Sequence, residues 1–373
     1  MYHNFFSIPF LLFTHSSFLL LFIFLANSFP NVESYRIIGH EQGDLFLTYN
    51  RTIDVVKGLA ILFVILIHSI PGQTVLNIGG PFYILQAVPL FLIIAGFNNT
   101  MSYERHQSET LIDLYQPILL YKKLNRILLP AVVAYLFQMV IGPFIGKEAT
   151  IFFYLFGRGG FGGFFISIMI QLIFFLPFLY YLARKNHHLM LLISFLINLA
   201  FELASDILGL PPFLYRLFFF RYLFAIALGI WYYYIQEDKK SLMIMKIGAL
   251  LSIPYLISVH YFNYEVPFYS FNTSWRGQDP LTFFYTLLLF HLALTYLPRL
   301  RWNIIYEGLA RLGTQSYHIF IVQMVYFWII ASYIDKSQSV LVIDLTICLA
   351  VGIGYYHLEK FYLRHKKQKS RFR

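Results

Sequence analysis

The chain has 373 residues, 58% of them apolar and only 12% charged, with a mean hydropathy of +0.64 and a formal net charge of +10. That composition excludes an ordinary soluble globule and describes an all-α polytopic membrane protein. Its basic residues lie between apolar segments, so the excess charge argues against nucleic acid as a partner and for orientation in a bilayer, against anionic headgroups or phosphates.

In chain order, the first apolar run covers about 5–29. No Lys or Arg precedes it, which argues against a secretory leader, although Ala26-Asn-Ser28 faintly resembles a cleavage site. It reads as an extra N-terminal helix, with a cleaved leader or a true start further downstream as the other readings. Ten more runs follow at about 53–71, 81–101, 127–146, 164–183, 188–208, 214–235, 242–261, 281–298, 312–333 and 339–358. Most approach the roughly 20 residues that a spanning helix needs. A bundle of about ten transmembrane helices is therefore expected. The chain divides into an apolar segment with its linker over 1–50, a membrane domain over 51–360 and a basic tail over 361–373. The single cysteine, Cys348, excludes disulfides and cysteine metal clusters. No coherent set of metal ligands is evident.

The run from Arg51 to His68 carries most of the chemistry. Asp54, Lys57 and His68 fall on roughly one helical stripe, with Lys57 and His68 about 16 Å apart along the axis. Ionisable groups in a membrane helix are costly and mark functional sites. A cation at one surface and an imidazole near the other suit the two ends of a transmembrane reaction path. The plainer reading makes Lys57 an interfacial anchor and His68 an interhelical hydrogen-bonding group. Asp54, one turn from Lys57, is expected to pair with it.

If each later run crosses once and the residues before Asp54 lie inside, 22 of the 28 Lys and Arg residues fall on the inner side and 6 on the outer. This bias repeats from loop to loop and predicts a cytoplasmic C-terminus.

Asp54, Lys57-Gly58-Leu-Ala60 and His68 together resemble the first helix of the acyltransferase 3 family, with Lys57 where that family often has Arg. Val88-Pro-Leu-Phe-Leu-Ile-Ile-Ala-Gly-Phe97 is similar to its second-helix motif. Lys122-Lys-Leu-Asn-Arg-Ile-Leu-Leu-Pro130 is similar to the basic motif before its third helix, Lys123 and Arg126 occupying the paired cationic positions. Weaker likenesses run from Phe164 through Gln171 to Pro177 and over Leu312-Gly-Thr-Gln-Ser-Tyr-His-Ile-Phe320, with Gln323 where a histidine is frequent. The resemblance covers about residues 50–360.

It implies a plasma-membrane O-acyltransferase, usually an O-acetyltransferase. The acyl group would pass from cytoplasmic acetyl-CoA or another acyl-CoA, a donor substrate and not a bound cofactor, to a hydroxyl of an extracytoplasmic carbohydrate. Exopolysaccharide or a lipid-linked glycan would be the acceptor, and membrane lipids the surroundings. Lys57, Lys123 and Arg126 would meet the phosphates of coenzyme A, Arg126 bidentately and the lysines as point charges. Simple enforcement of the positive-inside bias is the competing role for them. His68 would serve as general base on the acceptor hydroxyl, since imidazole titrates near neutral pH, or would itself carry the acyl group.

The Gly157-Arg-Gly-Gly-Phe-Gly-Gly163 segment lacks the Lys-Ser/Thr of a phosphate loop and reads as an outer turn, flexible or re-entrant. Four groups are acceptor-side candidates. Arg158 could meet an acidic glycan and Arg276, beside Trp275, a sugar ring. Glu202 and Asp206 either pair with Arg216 or Arg221 or bind sugar hydroxyls. A transporter or flippase for a polysaccharide or lipid-linked sugar is the alternative reading, because charged groups inside a bundle also suit translocation.

Overall fold

The structure is a computed structural model and describes residues 50–106, 110–147, 157, 159–264, 278–299, 303–331, 333 and 340–371. The run at 5–29, Arg158, Trp275, Arg276 and Lys336 lie outside the described residues. Among those described, the chain is helical without strands. The long helices are α1 (Arg51–Ser69), α2 (Ala87–Arg105), α3 (Pro117–Ile141), α4 (Phe164–Ile207), α5 (Leu223–Ile235), α6 (Lys239–Tyr261), α7 (Phe283–Tyr296), α8 (Asn303–Ile330) and α9 (Leu341–Arg371). Among the described residues, six stretches are long and apolar enough to cross a membrane: Arg51–Ser69, Gly80–Arg105, Leu111–Ile145, Phe164–Ile207, Lys239–Tyr261 and Leu341–His365.

Helix α4 is two helices in one. Asn186 breaks it with extended φ/ψ of −159° and 99°, and its side chain accepts hydrogen bonds from the backbone of His188 and Leu189. Asn186 thus ends one half and caps the next. Both far ends return to the same segment of chain. Gln171 in the first half donates to the Leu217 carbonyl at 2.7 Å, and Glu202 in the second accepts from the Tyr215 hydroxyl. The 44-residue helix is therefore a hairpin, which accounts for the two apolar runs at 164–183 and 188–208.

Helices α1, α2, α5 and α8 form the centre. Without a hydrophobic drive between helices in lipid, close backbone approach holds such bundles, and small residues permit it. A Cβ added to Gly313 of α8 would lie 1.7 Å from the Asp54 carbonyl, and one on Gly58 of α1 would lie 2.1 Å from that of Leu309. The α1–α8 interface is built on those two glycines. Helix α5 has no exposed residue, whereas α3, α6 and α9 present many apolar side chains outward: Leu136, Val140, Leu250, Leu251 and Val351 are examples. Such surfaces are what a bilayer covers.

Candidate functional site

At its N-terminus, α1 is fixed by its own cap and by α8. Asn50 accepts from the Thr52 amide at 3.0 Å, the Thr52 and Tyr306 hydroxyls share a hydrogen bond of 2.9 Å, and Arg51 pairs with Glu307. Asp54 is buried and forms an ion pair with Lys57, as the one-turn spacing predicts. Its second carboxylate oxygen, Oδ2, is buried with no hydrogen-bond partner. Lys57 keeps some exposure, with 20% of its side chain accessible.

The second cationic position is held by two helices. The Lys123 ammonium of α3 donates to the Asn99 Oδ1 of α2 at 2.9 Å and lies 3.8 Å from the centre of the Tyr103 ring. Arg126, one turn along α3, is exposed together with Lys122. Lys123 is therefore committed to the α2–α3 contact, while Arg126 presents its guanidinium outward. Asn99 and Tyr103 were not legible as its partners from sequence. Only their place two and six residues after the second-helix motif hints at them.

At the other end of α1, His68 sits in an aromatic corner. Its ring centre is 5.1 Å from that of Phe161 and 5.6 Å from that of Phe327, and the two phenylalanines meet edge to face at 6.4 Å. Phe161 comes from the glycine-rich segment, which folds back against α8. Gly160 has φ of +132°, and a Cβ there would meet the Met324 carbonyl at 2.6 Å, so only glycine fits. Two fully buried glutamines hold this segment by its backbone: Gln138 of α3 donates to the Gly159 carbonyl at 2.6 Å, and Gln323 of α8 to that of Phe161 at 3.2 Å. The described part of this segment is packed against α8.

The acceptor-side candidates separate. Glu202 is wholly buried, accepting from the Tyr215 hydroxyl and, at 3.5 Å, from Asn198, whereas Asp206 one turn on is exposed. Arg221 is also buried, its guanidinium 4.4 Å from the Tyr215 ring centre and 5.0 Å from that of Tyr222. Nearby, Asp279 accepts from Tyr255 at 2.8 Å. Glu202 thus belongs to an internal polar cluster and not to an open rim. A further, part-buried pair, His318 of α8 with Glu359 of α9, is not legible in the sequence because its partners are 41 residues apart.

The Asp54–Lys57 ion pair lies near one end of α1, His68 lies at the other, and Lys122, Lys123 and Arg126 lie in the N-terminal half of α3. Residues 50–358 match the family model described as an acyltransferase domain. The chain belongs to the acyltransferase 3 family. No curated protein and no solved structure matches it. As a member of this family with several membrane-length apolar helices, it is a multi-pass membrane acyltransferase.

Proposed function

We propose that this family member is an O-acyltransferase that moves an acyl group, most simply acetyl, from cytoplasmic acyl-CoA to a hydroxyl of an extracytoplasmic carbohydrate. The observation that carries the reading is the polarity of α1 within the bundle. Lys57 stands near one end, on the side where α3 presents Arg126, and His68 stands about 16 Å away at the other, in a corner that is half open. The donor is read as meeting Lys57 and Arg126 through its phosphates, with Lys123 shaping that side from within the α2–α3 contact. His68 takes the proton of the acceptor hydroxyl as its oxygen attacks the thioester carbonyl carbon. The C–S bond breaks, and the proton passes to the departing thiolate. Asp54 holds Lys57 in place.

The same reading counts ten crossings in the plasma membrane, α4 supplying two, with the Arg51 end of α1 and the C-terminus cytoplasmic. The hairpin in α4 and the charge bias between loops support it. Purified protein supplied with acyl-labelled acyl-CoA and a glycan acceptor is expected to transfer label to the glycan. Movement of the glycan across a vesicle membrane without modification would instead establish a transporter.

A further inference from the structure

The aromatic corner at His68 is asymmetric. Phe327 is 5% exposed and packs as an ordinary interior ring, whereas Phe161, in contact with the same imidazole, is 45% exposed. Exposure alone does not set Phe161 apart, since Phe137 of α3 and Phe174 of α4 are as exposed; its contact with His68 does. Phe161 is carried to His68 by a backbone that only glycine adopts at Gly160, and that backbone is held by two buried glutamine amides. A buried amide N–H left without an acceptor is costly, so the bonds from the Nε2 atoms of Gln138 and Gln323 hold the segment in place, although their Oε1 atoms have no partner. The result is one firmly placed aromatic residue, nearly half exposed, in contact with the group read as the general base.

Sugar rings suit such a side chain. A pyranose has one side rich in C–H bonds, which packs on an aromatic ring, and hydroxyls at its rim that remain free for a base. We propose that the exposed face of Phe161 is the platform on which the acceptor's pyranose ring lies while one of its hydroxyls meets His68. Phe161 is then an acceptor-specificity residue, and Gln138 and Gln323 are its positioning residues. The proposal rests on the reading of His68 as the acceptor-side base and adds to it the ring that selects the acceptor.

The test uses the full-length protein in lipid nanodiscs with methyl glucoside, methyl galactoside and methyl mannoside as probes. Saturation-transfer NMR reports binding without turnover, and acyl transfer to the same glycosides is measured separately. Phe161→Ala is expected to weaken saturation of the pyranose C–H protons and to raise the acceptor KM by about three- to tenfold, the scale of one aromatic contact, with the acyl-CoA KM unchanged. Phe161→Trp should restore both, and Gln323→Leu should raise the acceptor KM in the same direction. Wild-type protein that binds no glycoside, or a Phe161→Ala variant with unchanged binding and acceptor KM, overturns the platform. If glycosides bind through Phe161 but no acyl group is transferred, the platform stands and the acyltransfer reading falls. If transfer proceeds and Phe161→Ala is silent, the reverse holds.

Discussion

An imidazole that takes a proton from a hydroxyl cannot be replaced by a group that only forms hydrogen bonds. His68→Gln is therefore expected to lower kcat by at least about two orders of magnitude, the lower range of general-base assistance, while the protein still inserts and binds donor. A glutamine variant with most of its activity would reduce His68 to a packing residue of the Phe161–Phe327 corner. The cations at the other end make a different prediction. A charged hydrogen bond is worth roughly 1.5–3 kcal/mol, so Arg126→Ala should raise the acyl-CoA KM by about 10- to 100-fold and leave the acceptor KM alone. An effect confined to the acceptor KM would remove Arg126 from the donor side. Lys57 needs care, because Asp54 beside it is buried with one oxygen already unpartnered. Lys57→Ala strands that carboxylate and should lower Tm as well as donor affinity; Lys57→Arg preserves the pair and should do neither. Melting curves and donor kinetics on both variants separate the two effects.

At the scale of elements, two glycines of α8 have opposite roles. Gly313 lies against the Asp54 carbonyl of α1, so even a methyl group there forces the helices apart; Gly308, on the same helix, has nothing within 4 Å of the place its Cβ would take. Gly313→Ala should destabilise by about 1–3 kcal/mol, the usual cost of overpacking. Gly308→Ala should stabilise by roughly 0.5–1 kcal/mol through helix propensity. Detergent melts of the two variants are the measurement, and equal shifts would contradict the α1–α8 contact. The same contact sets the site, because α1 carries Lys57 and His68 while α8 carries Phe327 and the glutamine that holds Phe161. A variant that separates them should lose activity before it loses insertion.

For the whole molecule the testable quantity is sidedness. The sole cysteine, Cys348, is buried, so a reporter thiol can be added against little background. His106 and Lys185 are exposed at one end of the bundle and Asn263 is exposed after the far end of α6. In intact cells an impermeant maleimide should label Asn263→Cys, and should label His106→Cys and Lys185→Cys only after the membrane is opened. Labelling of His106→Cys from outside would invert the bundle and put Arg126 on the wrong side for cytoplasmic acyl-CoA.

Sequence alone determined what depends on composition and on spacing along one helix. Apolar runs require a membrane and backbone bonds satisfied within helices, so the helical class was legible, as were the Asp54–Lys57 pair one turn apart and the motifs that mark the family. The two apolar runs flanking Asn186 were legible too, although not that they join in one capped hairpin. Only tertiary structure decided the contacts between distant segments. Phe161 and Phe327 meet His68 from 93 and 259 positions away, Lys123 finds Asn99 on another helix, and Glu202 turns inward to Tyr215. In lipid these partners are chosen by which helices approach closely, and that depends on glycine contacts such as Gly313 on Asp54. Such a contact joins two surfaces whose fit exists only once both helices are placed, so no periodicity along the chain records it.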